Sequence, residues 1–431
     1  MRQDIVHEGA KELSYEIREI AKLAHQIEGA GKRIYWENIG DPIAKGSHVP
    51  EWIKDIVQNA VKQDETYGYS PTKGLTKTRE YLAAERNKTQ QGNISPDDIL
   101  FFNGLGDAVA KVYTYLDRTV RVIGPSPAYP THSSAEAAHA GAPHLTYLLN
   151  PRRNWLPDLE DLRNKVQYNP NITGILIINP DNPTGMIYPK MVLDQIVELA
   201  REFDLFLISD EIYGNIAYGE ERMYSLAELI DDVPGIVMRG LSKEIPWPGS
   251  RCGWIEVYNK HKDKNFERYI DAIENAKMLE VCSTTLPQAV LPEIFSDERY
   301  PKHLESRAAF YRKRAEEAYT ALKDIPGITV MKPQGAFYIS VVFDDPSIGE
   351  KSSLPIEDEN IRRIIENVLR EKSSDKYFVY YLLGATGICT VPLSGFNSAL
   401  AGFRVTLLEE DDETFSYVFQ TIAEKIREYL P

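Results

Sequence analysis

Short apolar runs that end in polar loops recur between residues 98 and 239. The runs are DILFF, VRVIG, GILII, LFLIS and GIVMR, and the loops that follow them are NGLGD, PSPAYP, NPDNPTG, DEIYG and GLSKE. Between GILII and LFLIS, residues 188–203 carry apolar side chains at helical spacing. Apolar runs separated by helices predict a mostly parallel, doubly wound sheet of an α/β protein. Such sheets bind ligands outside the carboxyl ends of their strands, where we expect all five loops.

The length of 431 residues exceeds what one hydrophobic core usually organises. We expect an N-terminal arm and part of a small domain over residues 1–50, a large domain over 51–297, and a small C-terminal α+β domain over 298–431. The arm contains one helical pattern that stops at GAGK, followed by the extended segment IYWENIGDP. The C-terminal part contains a long charged helix, the strands GAFYISVVF and FRVTLL, and a last helix. Residues 347–360 are polar and predict a surface excursion.

Composition narrows the class of protein. The chain has 49 basic and 64 acidic side chains, a formal net charge of −15, which disfavours nucleic acid as a partner. Its three cysteines lack the paired spacing of a disulfide framework or zinc site, so we predict no metal. No apolar stretch approaches the roughly 20 residues needed to cross a bilayer, and the first residues lack a secretory apolar region. We therefore expect a cytoplasmic protein without membrane contact.

Lys243 is the candidate nucleophile. It follows the run GIVMR and precedes Pro246, Trp247 and Pro248, which would partly desolvate its amine. Desolvation lowers an ammonium pKa and frees the lone pair that attacks an aldehyde. The alternative is an ordinary solvated lysine. Arg251 adds a fixed cation nearby, which by itself could equally be a structural ion-pair partner.

Three further polar residues follow apolar runs. Asp210 ends LFLIS at the expected carboxyl edge of the sheet; taken alone, an aspartate here more often caps the next helical segment. Tyr213 follows it and could be a core residue. Asn182 lies in NPDNPTG, where prolines restrict the backbone and would fix the direction of its amide; the alternative is a plain β-turn.

The segment NGLGD predicts an anion site. It joins the run DILFF to a helical pattern, so the amides of Leu105 and Gly106 would cluster at a helix N-terminus and could bind phosphate. The segment is neither a GxGxxG nor a GxxxxGK[ST] motif, which counts against NAD and ATP.

Together the motifs NPDNPTG, SDEIY and SK followed by PGSRCGW resemble those of fold-type-I pyridoxal-phosphate enzymes of the aspartate aminotransferase superfamily, class I/II. The resemblance covers nearly the whole chain. It implies a large domain with a seven-stranded, mostly parallel sheet and a smaller α+β domain built from both termini. It also implies pyridoxal 5′-phosphate as cofactor and a ping-pong transfer of the α-amino group from an L-amino acid to a 2-oxo acid.

The resemblance assigns cofactor contacts residue by residue. Lys243 would form the Schiff base and shuttle the proton, and Asp210 would keep the pyridine nitrogen protonated. Asn182 and Tyr213 would bind the 3′ oxygen, and Tyr129 of PSPAYP would stack on the ring. The remaining implied contacts are to the cofactor phosphate, from Leu105, Gly106, Ser242, Arg251 and, across a homodimer interface, Tyr69 of YSPTKG.

The substrate contacts are implied in the same way. Arg404 would bind the α-carboxylate through a two-pronged hydrogen bond, with Gly40 and Asn182 beside it; Asn38 is a further candidate. One position departs from the family pattern: three residues before the lysine, Gly240 replaces a serine that commonly binds the phosphate.

Two alternatives stay open on the sequence alone. A lyase that catalyses β-elimination would use the same lysine, aspartate and arginine. A non-catalytic effector-binding module is the other, although residues 1–50 contain no basic helix-turn-helix. The amino donor is undetermined, because the sequence does not show which of Tyr15, Tyr35, His132 and Tyr338 faces the pocket.

Overall fold

The computed structural model describes residues 5–6, 8–13, 16–88 and 93–431. The α-helices are α1 Glu16–Gly29, α2 Glu51–Ala60, α3 Thr76–Asn87, α4 Leu105–Thr114, α5 Pro130–Ala140, α6 Leu159–Tyr168, α7 Lys190–Glu202, α8 Lys264–Leu279, α9 Thr285–Ser296, α10 Tyr300–Leu322, α11 Ile348–Lys351, α12 Glu359–Leu369, α13 Tyr377–Thr386 and α14 Asp412–Tyr429. The strands are β1 Tyr35–Trp36, β2 Ile99–Phe102, β3 Arg121–Ser126, β4 Thr146–Asn150, β5 Leu156–Pro157, β6 Ile172–Ile178, β7 Phe206–Asp210, β8 Gly235–Gly240, β9 Gly253–Tyr258, β10 Ile328–Val330, β11 Tyr338–Phe343, β12 Ile388–Cys389, β13 Val391–Pro392 and β14 Gly402–Thr406.

The large sheet has the strand order β2-β9-β8-β7-β6-β3-β4-β5. Neighbours from β8 through β4 pair in parallel, as the apolar runs predict. β9 pairs antiparallel with both β2 and β8, so β2 points in the same direction as the parallel strands. The mostly parallel sheet is confirmed. It has eight strands where seven were expected, because the two-residue strand β5 pairs with the edge strand β4.

Both faces of this sheet are buried under helices. Along β6, Ile175 and Ile177 belong to the core beneath α2, α6, α7 and α9. The alternating residues Leu176 and Ile178 belong to the core beneath α4 and α8. Successive side chains of a strand point to opposite faces, so a strand between two helix layers has to be apolar throughout. This explains why the predicted runs are continuous.

The strand β9 was missed in the sequence because a glutamate interrupts it. Glu256 is fully buried in the middle of β9 and accepts a hydrogen bond from the Nε of Arg86 at 2.9 Å. Arg239, on the neighbouring strand β8, lies 3.4 Å from the same carboxylate. Burial alone would raise the pKa of Glu256, but the two arginines lower it to about 2. A charged side chain is therefore compatible with this central strand, because it is paired.

A second sheet has the order β10-β11-β14-β13 and is antiparallel throughout. Its core includes α10, α12, α13 and α14 and also the buried face of α1, formed by Ile20, Leu23, Ala24 and Ile27. Near the N-terminus, β1 pairs in parallel with β12 of the C-terminal part. Both chain ends thus contribute to one packing unit, as the resemblance implies. The domain boundaries at 50/51 and 297/298 stay predictions.

The segment 347–360 differs from its prediction as a polar surface excursion. It contains the short helix α11, and Ile348, Leu354 and Ile356 are buried in the second core. Three apolar residues spaced along a polar segment are enough to fix it to the protein, although the segment as a whole is polar.

The two sheets are linked directly beside the loops that follow β6 and β7. The amides of Gln334 and Gly335 both donate to the carbonyl of Gly185, at 2.8 and 2.9 Å. The hydroxyl of Ser340 in β11 donates to the carbonyl of Pro183 at 2.8 Å. These bonds fix the first residues of β11 against the NPDNPTG loop.

Over the residues that the structure describes, no helix has both the length and the apolar character needed to cross a membrane.

Candidate active site

A cavity of about 430 Å³ lies where the carboxyl ends of the parallel strands meet the second sheet and α1. Its volume is in the usual range for small-molecule sites. The sequence-predicted residues that line it are Gly40, Leu105, Gly106, Tyr129, Asn182, Asp210, Tyr213, Ser242, Lys243, Arg251 and Arg404. The cavity therefore unites all but one of the predicted site residues, from positions more than three hundred residues apart in the chain.

Lys243 reaches this cavity from the turn after β8. Its side chain is half-buried, and its Nζ donates a hydrogen bond to the carbonyl of Gly40 at 2.7 Å. Desolvation lowers the pKa of Lys243 to about 8; Asp41 and Asp210 oppose this shift, whereas Arg404 and Arg251 reinforce it. About one-tenth of an amine with this pKa is neutral at pH 7, far more than of an ordinary lysine, and the neutral form can attack a carbonyl carbon.

Asp210 ends β7 and is buried against a histidine. Its Oδ2 lies 3.0 Å from Nε2 of His132, and its Oδ1 accepts the amide of Ile212 at 3.1 Å. Nδ1 of His132 lies 3.3 Å from the hydroxyl of Tyr113. The carboxylate is therefore oriented from behind by a fully buried side chain, as a buried acid requires. An acid held in this way can keep a basic ring nitrogen protonated.

Tyr213 and Tyr338 form a buried pair at the cavity. Their hydroxyl oxygens lie 2.8 Å apart and their rings meet edge to face at 5.7 Å. Burial raises the pKa of Tyr213 well above its usual value, and the neighbouring Tyr338 adds to the rise. Tyr213 therefore keeps its hydrogen at any physiological pH and can donate it.

Arg404 lies in β14 and its guanidinium faces the cavity. Nη2 donates to the carbonyl of Asn38 at 2.5 Å, and Nη1 lies 3.5 Å from Oδ1 of Asn182. The guanidinium packs over the rings of Tyr338 and Phe396, at 4.5 and 5.0 Å. A planar cation fixed in this way can bind a carboxylate with two parallel hydrogen bonds.

The residues of the predicted phosphate cup lie at the start of α4. Gly104 precedes the helix with a φ of 84°, and a Cβ there would lie 2.5 Å from Nη2 of Arg251. This backbone conformation favours glycine, and the Cβ of any other residue would also displace the Arg251 guanidinium. At Gly106, by contrast, a Cβ would meet nothing within 4 Å, because this side faces open space. The helix N-terminus and the arginine together provide amides and a cation for a dianion.

Gly240 is explained by packing. A Cβ on Gly240 would lie 2.8 Å from the carbonyl oxygen of Cys252 and 3.2 Å from Cα of Gly253, on the neighbouring strand β9. The structure has no room for the serine that the family commonly has here. The phosphate contacts in this chain must come from other residues.

Tyr69 is the predicted site residue that does not line the cavity. Its side chain is 86% exposed, on the segment before α3. Of the tyrosines and histidine left open by the sequence, Tyr338 lines the cavity and His132 supports Asp210 from behind. Tyr35 instead packs against Tyr417 at 5.2 Å, and Tyr15 lies outside the described residues.

Sequence reasoning also missed the contribution of α1 to the cavity. Ile17, Arg18 and Ala21 lie on one face of this helix and line the cavity. Their spacing looks like that of any helix packed on a core. Arg18 cannot be told from an ordinary surface arginine in the sequence, because only the fold brings α1 to the cavity.

Comparison with known proteins agrees with this site. Residues 38–422 match the sequence pattern of the family "Aminotransferase class I and II". The chain belongs to this family, whose members depend on pyridoxal phosphate and transfer amino groups between amino acids and 2-oxo acids.

Particular relatives agree with this assignment. The chain is 56% identical, over all of both sequences, to an uncharacterized aminotransferase of Methanocaldococcus jannaschii. It is 31% identical to the glutamate-pyruvate aminotransferase AlaA of Escherichia coli, over 75% of this chain and 79% of that protein. Among solved structures, the alanine aminotransferase of Pyrococcus furiosus superposes with a TM-score of 0.85 at 26% identity, covering 98% of this chain and 100% of that one.

The described residues fit the cofactor of this family. The cup around Gly104 and Arg251 offers donors to a phosphate, buried Asp210 offers an acid to a ring nitrogen, and Lys243 offers an amine to an aldehyde. When bound, the cofactor supplies an electron sink for the bonds at the substrate's α-carbon.

Proposed function

We propose that this aminotransferase moves an amino group between L-glutamate and L-alanine: glutamate donates to pyruvate, or alanine donates to 2-oxoglutarate. The observation that carries the reaction is the convergence of Lys243, Asp210 and Arg404 on one cavity. The substrate class is supported by relatives at 30–31% identity that are glutamate-pyruvate and alanine aminotransferases. A cation that lines the cavity, Arg18, would suit the second carboxylate of glutamate.

Each side chain has one task in this proposal. Arg404 binds the α-carboxylate and so sets which face of the α-carbon is presented. Nζ of Lys243 accepts the proton from the α-carbon and later returns it, which needs the lowered pKa of about 8. The buried carboxylate of Asp210, oriented by His132, keeps the ring nitrogen of the cofactor protonated. The apolar side chains of Ile17 and Ala21 in α1 line the cavity and would limit the number of water molecules beside the substrate.

The donor screen tests this proposal. Protein saturated with pyridoxal phosphate is mixed with one amino acid at a time, and the loss of its visible band is followed through a single turnover. Glutamate and alanine are expected to react faster than aspartate, tyrosine or leucine, without release of ammonia. A faster reaction with any of the other three would overturn the substrate proposal, and ammonia release would overturn transamination.

Arg18 has its own test within this screen. Arg18→Gln should raise the half-saturating concentration of glutamate by about tenfold or more, the loss of one charge-assisted contact, and leave alanine unchanged. Lys22→Gln is the matched control, because Lys22 lies one turn further along the exposed side of α1 and does not line the cavity. Equal effects of Arg18→Gln on both donors would contradict the assignment.

The exposed apolar side chains near Tyr69 support a homodimer. Tyr67, Tyr69, Leu279 and Val281 are 75%, 86%, 86% and 51% exposed. Two hydrogen bonds join their segments: the Thr72 hydroxyl donates to the Val281 carbonyl at 3.1 Å, and Ser70 to Ser283 at 3.2 Å. A contiguous apolar patch of this kind is typical of a protein–protein interface. In this proposal a second copy covers the patch, and its Tyr69 reaches the phosphate cup.

Sedimentation equilibrium tests the dimer. The expected species has twice the chain mass of 49.0 kDa, and Leu279→Asp should shift it toward one chain with loss of bound cofactor. Met191→Asp is a control, because Met191 is an exposed apolar residue of α7, away from this patch. A fully loaded species of single-chain mass would contradict the proposal.

The location is proposed to be cytoplasmic. All three cysteines are free thiols, two of them buried, as expected in a reducing compartment. Fractionation of cells that produce the protein, with detection in the soluble cytoplasmic fraction, tests this. Recovery with membranes would contradict it.

A further inference from the structure

Tyr338 is the buried cavity residue to which neither the motifs nor the comparisons give a task. It is the first residue of β11 and is 2% exposed. Its hydroxyl lies 2.8 Å from that of Tyr213, and a Cβ on Gly40 would approach the same hydroxyl to 2.5 Å. Its ring packs under the guanidinium of Arg404 at 4.5 Å. One side chain therefore touches three parts of the proposed site.

The position of Tyr338 is fixed by its surroundings. In the second sheet Tyr338 pairs with Thr406 of β14, two residues from Arg404. On the other side, Ser340 is bonded to the carbonyl of Pro183 in the loop after β6. The hydroxyl of Tyr338 is thus held at a set distance from Tyr213, which lies in the loop after β7.

The direction of the hydroxyl–hydroxyl bond matters. Only one hydrogen lies between two hydroxyl oxygens at this distance. If Tyr213 donates to Tyr338, its hydrogen is used within the protein. If Tyr338 donates to Tyr213, the hydrogen of Tyr213 is available to an acceptor in the cavity.

We propose that Tyr338 is a positioning residue that donates to Tyr213 and thereby directs the hydrogen of Tyr213 to the 3′ oxygen of the cofactor. This inference rests on the proposed role of Tyr213. Hydrogen bonds in a chain polarise one another, so a donor to the oxygen of Tyr213 also makes Tyr213 a stronger donor. Removing the Tyr338 hydroxyl weakens this donation and leaves the ring in place.

The sign of the effect follows from charge. A donor to the 3′ oxygen stabilises its negative charge, which reduces the attraction of that oxygen for the proton on the neighbouring Lys243 nitrogen. A weaker donor leaves more negative charge there, so the nitrogen linked to the cofactor holds its proton to higher pH. The substitution of Tyr338 changes none of the other charged groups around Lys243. These groups are Asp41, Asp210, Arg251 and Arg404.

The experiment is a pH titration of the visible band of the cofactor-loaded protein, which reports protonation of the Lys243 linkage. Tyr213→Phe should raise its midpoint by about 1–2 pH units, as expected for loss of a hydrogen bond to a charged oxygen. Tyr338→Phe should raise it by about 10–30% of that shift. The double variant should match Tyr213→Phe, because Tyr338 acts through Tyr213.

Two further proteins sharpen the test. Tyr147→Phe is the matched control, since it also removes a buried tyrosine hydroxyl that donates a hydrogen bond, at 2.9 Å to Leu176, and Tyr147 does not line the cavity. It should leave the midpoint unchanged. A 3-fluorotyrosine at position 338 keeps the hydroxyl and makes it a stronger donor, so the midpoint should fall.

The outcomes separate the inference from the proposed function. An unchanged midpoint in Tyr338→Phe, an additive shift in the double variant, or a rise with fluorotyrosine would overturn the role of Tyr338 while the band itself persists. Absence of the band from the unaltered protein would instead overturn the proposed function. If Tyr338→Phe does not fold, the fluorotyrosine protein alone decides.

Discussion

For the substitution Gly240→Ser, the family resemblance and the packing of this chain predict opposite effects on cofactor binding. The family resemblance implies a serine at this position whose hydroxyl would bind the cofactor phosphate, so by resemblance alone the substitution should tighten binding. In this structure a Cβ at position 240 would lie 2.8 Å from the carbonyl oxygen of Cys252, short of the 3.4 Å at which ordinary contacts begin. The obstacle is a backbone carbonyl directly before β9, which accepts the Leu241 amide and cannot rotate away as a side chain can.

The expected cost follows from this overlap. Forcing additional atoms into a packed interior usually costs about 1–3 kcal/mol, which for a chain of this length corresponds to a melting temperature lower by roughly 1–3 °C. The strain also reaches the phosphate cup, because Gly253 beside Cys252 is in close contact with Leu105: a Cβ on Gly253 would lie 2.9 Å from the Leu105 amide nitrogen. Displacing this amide should weaken cofactor binding by about tenfold.

Two measurements decide the matter: the melting temperature without cofactor and the dissociation constant of pyridoxal phosphate from fluorescence quenching. Gly249→Ser is the matched control, because a Cβ there would meet nothing within 4 Å. It should leave both values unchanged. Tighter cofactor binding by Gly240→Ser at an unchanged melting temperature would refute the packing argument.

Three further predictions concern the charged groups. The rate at which the cofactor attaches to the apoprotein should rise with pH around a midpoint near 8, the pKa of Lys243; a midpoint near 10.5 would contradict the desolvation argument. Asp41→Asn should move this midpoint to lower pH, since Asp41 favours the charged amine; a move to higher pH would be contrary. Arg239→Met should cost about 3–5 kcal/mol in urea unfolding at pH 8, because it leaves the buried Glu211 without its cation and Glu256 with Arg86 alone. The unpaired Glu211 then has a raised folded-state pKa, so the loss should shrink toward pH 5, and an equal loss at both pH values would refute this reading.

The parallel sheet and the strand-end residues of the cavity could be predicted because their signals are local. A continuous apolar run followed by a polar loop marks a buried strand and its carboxyl end, and this placed Asp210 and Lys243 at the same edge. The antiparallel strand β9 was not predicted, because its Glu256 is tolerated only through arginines on α3 and β8.

The remaining features depend on packing between distant segments. His132 and Tyr338 look like ordinary core residues until the fold brings one against Asp210 and the other against Tyr213. The reason for glycine at position 240 lies in the backbone of a neighbouring strand, and no pattern around Gly240 shows it. A residue whose role depends on a contact with a distant residue has no recognisable pattern in the sequence around it.

The central claim is that the amine of Lys243 carries the cofactor at the carboxyl edge of the sheet. The most direct measurement is borohydride reduction of the protein after incubation with pyridoxal phosphate, followed by mass spectrometry of its peptides. One modified peptide that spans Lys243 is expected, together with its loss and the loss of colour in Lys243→Ala. A colourless protein, or a label on another lysine that survives in Lys243→Ala, would contradict the account.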